Sequence, residues 1–416
     1  MNLIRTSLLS VISTFFRLLS ALVINKAIAT FIGPTGLALI GQFQNFTQIA
    51  LVLAQGGINN GVVKYNAELI SENKDITILN STAIRISLLS SLFIGFLMAI
   101  FSNYLSDYIF NSPNYSYVFI VFGITIFFFV INQLLLSILN GLKEIRLFIG
   151  INISQSIYSL IFTSLAILTY GLVGALIAMV TNQSIIFITV VWRLRKHPII
   201  SLRLFNANYD KKIANKLFKY SVMALTSILT VPLTNFILRN YIGNVIGWSQ
   251  AGYWQAIWYI SSMYLMVITT ALNIYYLPRL SEIKDKKEIK KELLNGYVLI
   301  IPFIVLLTLG IFFLKEYIVL ILFNKDFYPM LELFKWQLVG DVIKISAWLL
   351  SYIMLAKAMT KEFIITEILF SMLFVIVSLI YINVFGLIGV TYGYATNYII
   401  YFIVMFLIFR KKYLLQ

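Results

Sequence analysis

The sequence predicts an all-α polytopic membrane protein of about twelve transmembrane helices, in two six-helix lobes related by a parallel internal repeat. Three observations carry that prediction. First, 60% of the 416 residues are hydrophobic and only 12% are charged, against about 25% charged in a soluble domain. Second, long apolar runs return along the whole chain, and no polar stretch between them is long enough to fold alone. Third, the second half repeats landmarks of the first in the same order.

The apolar runs lie near 8–31, 37–63, 80–103, 116–140, 147–169, 172–192, 217–240, 251–277, 293–313, 330–356, 362–384 and 387–409. Each approaches or exceeds the ~20 residues needed to cross a hydrocarbon core. Turn chemistry marks the joints: Gly33-Pro34, Asn111-Ser112-Pro113, Gly171, Pro198, Gly243 and Gly386. Pro232 and Pro302 fall inside spans, where a kink is expected. The segment 315–324 is too short to span and reads as an interfacial or half-helix on the outer side. The opening run has one charge before it and no small-residue cleavage site, so it is expected to stay as the first helix.

Lysine and arginine set the orientation. One set of loops holds Lys64 and Lys74, Lys143 and Arg146, the basic stretch from Arg193 to Lys219, the stretch from Arg279 to Lys291, Lys357 with Lys361, and the tail Arg410, Lys411 and Lys412. The opposite loops carry little beyond Lys315, Lys325 and the span-end Arg239. Both termini are therefore expected in the cytoplasm. The longest connection, His197 to Lys219, contains NANYDKKIANKLFKY and reads as an amphipathic cytoplasmic helix. It divides the chain into an N-terminal lobe (1–200), a linker (201–219) and a C-terminal lobe (220–416).

The repeat is legible at several points. GLVGALIAMVTN starts at Gly171 and GLIGVTYGYATN at Gly386, an offset of 386 − 171 = 215 that also relates Arg195-Lys196 to Arg410-Lys411. Gly41, Gln44, Tyr65 and Leu69 meet Gly252, Gln255, Tyr276 and Leu280 at an offset of 211. Phe110-Asn111 matches Phe323-Asn324, and Lys143-Glu144 matches Lys361-Glu362. Six spans per half is an even number, so both halves keep one orientation, with a substrate site expected between them.

Several chemistries are disfavoured. The net charge of +16 sits in short loops between apolar runs, which is topology and no nucleic-acid footprint. There is no cysteine, so disulfides, iron–sulfur clusters and thiolate metal sites are excluded, and the single histidine, His197, lies in a basic loop. No P-loop, no HExxH and no long outer loop occurs, so neither an ATP-driven pump nor an enzyme is expected, and no cofactor.

Charged residues inside spans are the candidates for function, because a cation there costs at least ~2.5–3.5 kcal/mol on insertion scales. Arg17 and Lys26 lie in the first span nine positions apart, half a turn out of phase. Lys26 can snorkel to the interface or meet an anion. The second span carries Asn45, Gln48, Gln55 and Asn59 at helical spacing, and span eight repeats the rhythm with Gln255, Tyr259, Ser262, Thr269 and Asn273 beside Trp254 and Trp258. Such stripes either glue helices together or wall a wet cavity. In span ten, Asp341 and Lys344 are three apart and can pair on one helix face, structurally or as part of a mechanism. Glu367 is a lone acid in span eleven, open to protonation or to pairing with Lys344.

The stretches SLLSVISTFFRLLSALVINKAIATFIGPTGLALIGQFQN, GGINNGVVKYNAE, WQLVGDVIKISAW and LAKA resemble the bacterial O-antigen translocases, a group that includes lipid III flippases of enterobacterial common antigen. The resemblance covers essentially the whole chain. It implies the multidrug/oligosaccharidyl-lipid/polysaccharide exporter superfamily, a bacterial inner-membrane location, and movement of undecaprenyl-diphosphate-linked oligosaccharide to the periplasmic leaflet by alternating access. It makes Lys26, then Arg17 and Arg239, the expected diphosphate contacts. The glycan-lining set becomes Asn45, Gln48, Gln55, Asn59, Gln255, Trp258 and Tyr259, with Asp341, Lys344 and Glu367 in coupling or gating. Implied partners are the lipid-linked substrate and membrane lipid, with a polysaccharide polymerase and a chain-length regulator beyond them. The competing expectation on the same fold is a cation-coupled multidrug exporter.

Overall fold

The computed structural model describes residues 3–195, 209–283, 285–357 and 359–414, and they are helical almost throughout, with no strand among them. The helices are α1 (Leu3–Phe31), α2 (Gly33–Ala54), α3 (Asn59–Ser71), α4 (Thr77–Ile100), α5 (Ser102–Phe110), α6 (Ser116–Gly141) and α7 (Ile145–Leu194). They continue with α8 (Lys211–Val245), α9 (Trp248–Ala271), α10 (Leu277–Glu282), α11 (Lys286–Phe313), α12 (Lys315–Leu322), α13 (Phe334–Ala356), α14 (Thr360–Phe385) and α15 (Ile388–Phe409).

Among the described residues nine helical segments are long and apolar enough to cross a bilayer. The 50-residue α7 counts twice, because Gly171 (φ 56, ψ −129) breaks it where spans five and six were expected to meet. With the more polar α8 and α9, twelve spans result. Large apolar side chains such as Leu89, Phe93, Phe96, Val298, Leu299 and Phe313 point outward, as lipid-facing positions require.

The chain forms two compact units, Met1–Ile32 with Leu39–Pro232, and Gly33–Ala38 with Leu233–Gln416. In the first, Ile58, Val62, Ala83, Leu134, Ile138, Leu139, Val190 and Leu217 make the core, and Phe43 meets Phe110 and Phe119 with ring centroids 5.6 Å apart in each case. In the second, Leu272, Tyr276, Leu280, Ile304, Ile345, Leu349, Met405 and Phe409 do the same. The turn opening α2 belongs to this second unit. Gly33 (φ 79) and Pro34 start that helix, Thr35 Oγ1 lies 2.9 Å from Ser249 Oγ, and any Cβ at Gly252 would collide with the Pro34 carbonyl.

The internal repeat reaches backbone detail. Gly386 (φ 65, ψ −147) copies Gly171, and three residues on, Gly389 packs against the Tyr381 carbonyl as Gly174 packs against that of Ala166. No side chain fits at either close approach, which is why both helical hairpins keep a G-x-x-G spacing. The short α5, ending at Phe110, has its counterpart in α12, followed by Phe323.

Two expectations need correction. The second span, expected unbroken over 37–63, stops at Gln55, because Gly56 (φ 63) and Gly57 (φ 64) leave the helical region in succession. The chain restarts at Asn59 in α3, so Gln55 and Asn59 do not continue the helix face of Asn45 and Gln48. The linker helix also differs. Residues 196–208, with His197, lie outside the described residues, and the remainder is no separate element: α8 begins at Lys211 and runs unbroken through the seventh span. Asp210 starts it, its Oδ1 accepting from the Lys212 N–H at 2.7 Å, while Ala214 and Leu217 face the first core.

Candidate functional site

The densest polar constellation lies on α13, where the sequence places two opposite charges three residues apart. Asp341 is fully buried (0% exposed). Its carboxylate accepts hydrogen bonds from Ser261 Oγ at 2.7 Å, from the Tyr264 hydroxyl, and from the Tyr394 hydroxyl at 2.7 Å. Two helices supply these donors, α9 and α15. α15 comes close to α13 because Gly340, next to Asp341, leaves room for the Tyr394 ring. A second small residue, Gly393, lets α15 lie against Ser378 of α14.

Lys344 faces an aromatic box. Its Nζ lies 4.8 Å from the Trp348 ring centroid, 5.3 Å from Tyr398, 5.5 Å from Trp258 and 5.6 Å from Tyr394. Each such contact is worth ~0.5–2 kcal/mol depending on desolvation. The expected Asp341–Lys344 pair takes an indirect form. The carboxylate spends its lone pairs on hydroxyls, and among the described residues the two make no direct ion pair, although Asp341 and Glu367 both act electrostatically on Lys344. One turn before Asp341, Gln337 is also 0% exposed, and neither end of its amide has a hydrogen-bond partner among the described residues.

This arrangement can store a charge inside the bilayer and change it. Three rotatable hydroxyls can hold a carboxylate, or release it to take up a proton or a small cation. The neighbouring ammonium responds to either change across the aromatic box. Among the described residues no group of three His, Cys, Asp or Glu side chains could hold a metal.

The other predicted residues fall into smaller sets. Lys26 is half-buried in α1, beside the buried Asn25, and Arg17 is exposed on the same helix. α1 packs on α7, where Ser20 Oγ donates to the Ser156 carbonyl at 3.1 Å. Asn45 is buried and Gln48 exposed, while Asn59 Nδ2 donates to Gln55 Oε1 at 2.9 Å across the break between α2 and α3. In α9 the predicted stripe divides. Gln255 is buried and accepts from Arg239, Trp258 covers Lys344, Tyr259 is half-buried, and Ser262 is exposed and bonded to the Trp258 carbonyl. Asn273 lies outside the described side chains.

Ser261, Trp348, Tyr394 and Tyr398 escaped the sequence reading. Their signals were present: Trp348 follows Lys344 by one turn, and Tyr394 and Tyr398 are one turn apart in TYGYATNYII. Which helix those faces meet was not encoded locally.

Twelve spans in a doubled six-helix plan, with charges buried inside one half, define a multi-pass membrane protein of transporter architecture. Solved structures agree on the fold. An inward-facing MATE multidrug resistance transporter of the MOP superfamily superposes with a TM-score of 0.79 over 95% of this chain and 94% of its own, at 17% identity. A MOP superfamily transporter from Pyrococcus furiosus reaches 0.73 over 98% and 94%, at 16% identity. The profile of the polysaccharide biosynthesis protein family matches residues 27–332, and the chain belongs to that family. The lipid III flippase of Escherichia coli K12 is 27% identical over 99% of this chain and 100% of its own length. A putative O-antigen transporter of Shigella flexneri is 25% identical over 63% of this chain and 65% of its own.

Proposed function

We propose that this protein is a flippase for undecaprenyl-diphosphate-linked oligosaccharide, an O-antigen or common-antigen repeat unit, carried from the cytoplasmic to the periplasmic leaflet of the bacterial inner membrane. The observation that carries the reading is the end-to-end match to a lipid III flippase, with 99% of this chain and 100% of the relative aligned. Membership of the polysaccharide biosynthesis family supports it. The doubled six-span plan suits alternating access, in which one half rocks against the other.

Lys26 is the first diphosphate contact in this reading, because an ammonium half-buried in an apolar span is costly to leave in lipid and is matched by an anionic group. Arg17 is the secondary contact. Asn45, Gln48, Gln55, Asn59 and Tyr259 offer amide and hydroxyl groups to sugars. Asp341, Lys344 and Glu367 form the coupling element, because Asp341 has hydroxyl partners that accommodate either charge state. Both termini lie in the cytoplasm, following the lysine and arginine loops, and the flipped unit passes to a polysaccharide polymerase and its chain-length regulator.

The test is genetic and biochemical together. Deletion abolishes the surface polysaccharide, the wild-type gene restores it, and Lys26→Ala inserts normally in the membrane without restoring it. Purified protein moves the lipid-linked oligosaccharide across liposomes. Normal glycan with altered drug sensitivity on deletion would overturn this reading in favour of a multidrug exporter. The native chain has no cysteine, so orientation can be read by single-cysteine labelling: a cysteine at Lys74 is protected from an outside reagent and one at Asn111 is labelled.

A further inference from the structure

α8 and α9 bury a cation to which the described residues bring no counter-charge. Arg239 is 1% exposed. One guanidinium nitrogen, Nη2, donates to Gln255 Oε1, and the group lies over the Trp254 ring, 5.5 Å from its centroid. Trp254 is itself buried and closes the site on that side. Nε and Nη1 are sealed from solvent and have no hydrogen-bond partner among the described residues. Among those residues Arg239 makes no ion pair with a carboxylate.

Arginine stays charged in such a place, so its charge must be compensated. Desolvating a lone ion costs several kcal/mol even after relaxation, whereas a cation–π contact with a buried ring returns ~2 kcal/mol. A carboxamide oxygen adds one charge-assisted hydrogen bond. A water molecule would satisfy the idle N–H groups and leave the charge. An anion satisfies both. The occupant has to be small, because neither Nε nor Nη1 has a solvent-exposed face through which a diphosphate with its sugar and lipid could approach.

We propose that Arg239, with Gln255 and Trp254, forms a binding site for one halide-sized anion, chloride in the cell, inside the second unit. The anion completes the α8–α9 hairpin three residues from Gly252, where the Pro34 turn docks. The site is independent of the transported substrate and stands or falls apart from the flippase reading.

Two measurements on the purified full chain test it. Crystals or grids prepared in bromide show a bromide peak beside the Arg239 guanidinium, found by anomalous scattering or difference density. In thermal unfolding at constant ionic strength, chloride or bromide raises the Tm of the wild type by ~2 °C or more over gluconate, with saturation. Arg239→Gln abolishes that difference, and Arg239→Lys keeps part of it. Absence of the bromide peak, or equal Tm values in chloride and gluconate, overturns the proposal, and both readouts use the wild type, so a misfolded variant cannot obscure them. Stabilisation by pyrophosphate and not by halide also overturns it and returns Arg239 to the diphosphate contacts of the carrier.

Discussion

The two halves of the chain use the same helical plan differently at one matched position. Ser116 and Phe334 start α6 and α13 at an offset of 334 − 116 = 218, which is also the offset between Lys143 and Lys361 after those helices end. By that register Gly123 and Ile126 stand where Asp341 and Lys344 stand in the second half. Across the helix pair, Met179 stands where Tyr394 stands. In the first half Gly123 packs against the Gly95 backbone, Ile126 is buried, and the polar contact is neutral: Thr125 Oγ1 donates to the Val180 carbonyl at 2.8 Å. The second half holds a carboxylate, three hydroxyls and a caged ammonium. A fold that closes with apolar residues in one copy does not need charges in the other. Buried charge is weak support for stability and costly to maintain, so the difference between the halves supports the coupling role proposed for the Asp341–Lys344 constellation.

The largest expected effect comes from removing that charge without changing shape. Asp341→Asn lowers liposome translocation by ~100-fold or more while membrane insertion stays normal, since an isosteric neutral group relieves the desolvation cost. A fully active Asp341→Asn protein would reduce the second half to a structural variant of the first. Lys344→Met is expected to lower transport in the same assay and leave the Tm unchanged or higher, because a volume-matched apolar chain fills the aromatic box.

Helix approach should behave alike in both halves. Gly340→Ala pushes a Cβ into the Tyr394 ring and Gly123→Ala into the Gly95 carbonyl, each costing ~1–3 kcal/mol by overpacking and visible as a lower Tm. Gly123→Ala is the harsher of the two, since backbone yields less than a ring. Single hydroxyls give the smallest effects and the sharpest contrast. Tyr394→Phe removes a donor to a buried carboxylate, worth ~1.5–3 kcal/mol, and Thr125→Val a neutral bond worth ~0.5–1.5 kcal/mol. Only the former is expected to alter transport.

Much of this was legible in the chain itself. The twelve spans follow from runs of apolar residues long enough for a bilayer, and the repeat from GLVG and GLIG, whose glycines adopt the same left-handed turn. Lys26, Asp341, Lys344 and Glu367 stood out because a charge in an apolar run has few bland explanations. The break at Gly56-Gly57 is written in the sequence as a glycine pair, but hydropathy continues through it and hides it.

By itself, then, the sequence determined the class, the span count, the duplication and the identity of the intramembrane charges, since these depend on composition and on local backbone chemistry. Partners across helices were decided only in the tertiary structure. That Asp341 turns to Ser261, Tyr264 and Tyr394, and that Lys344 turns to rings, depends on which helix faces meet where glycines permit close approach. The Asp341 hydrogen bonds, between residues 53 to 80 positions apart, are set by packing the whole bundle, and no local period records them.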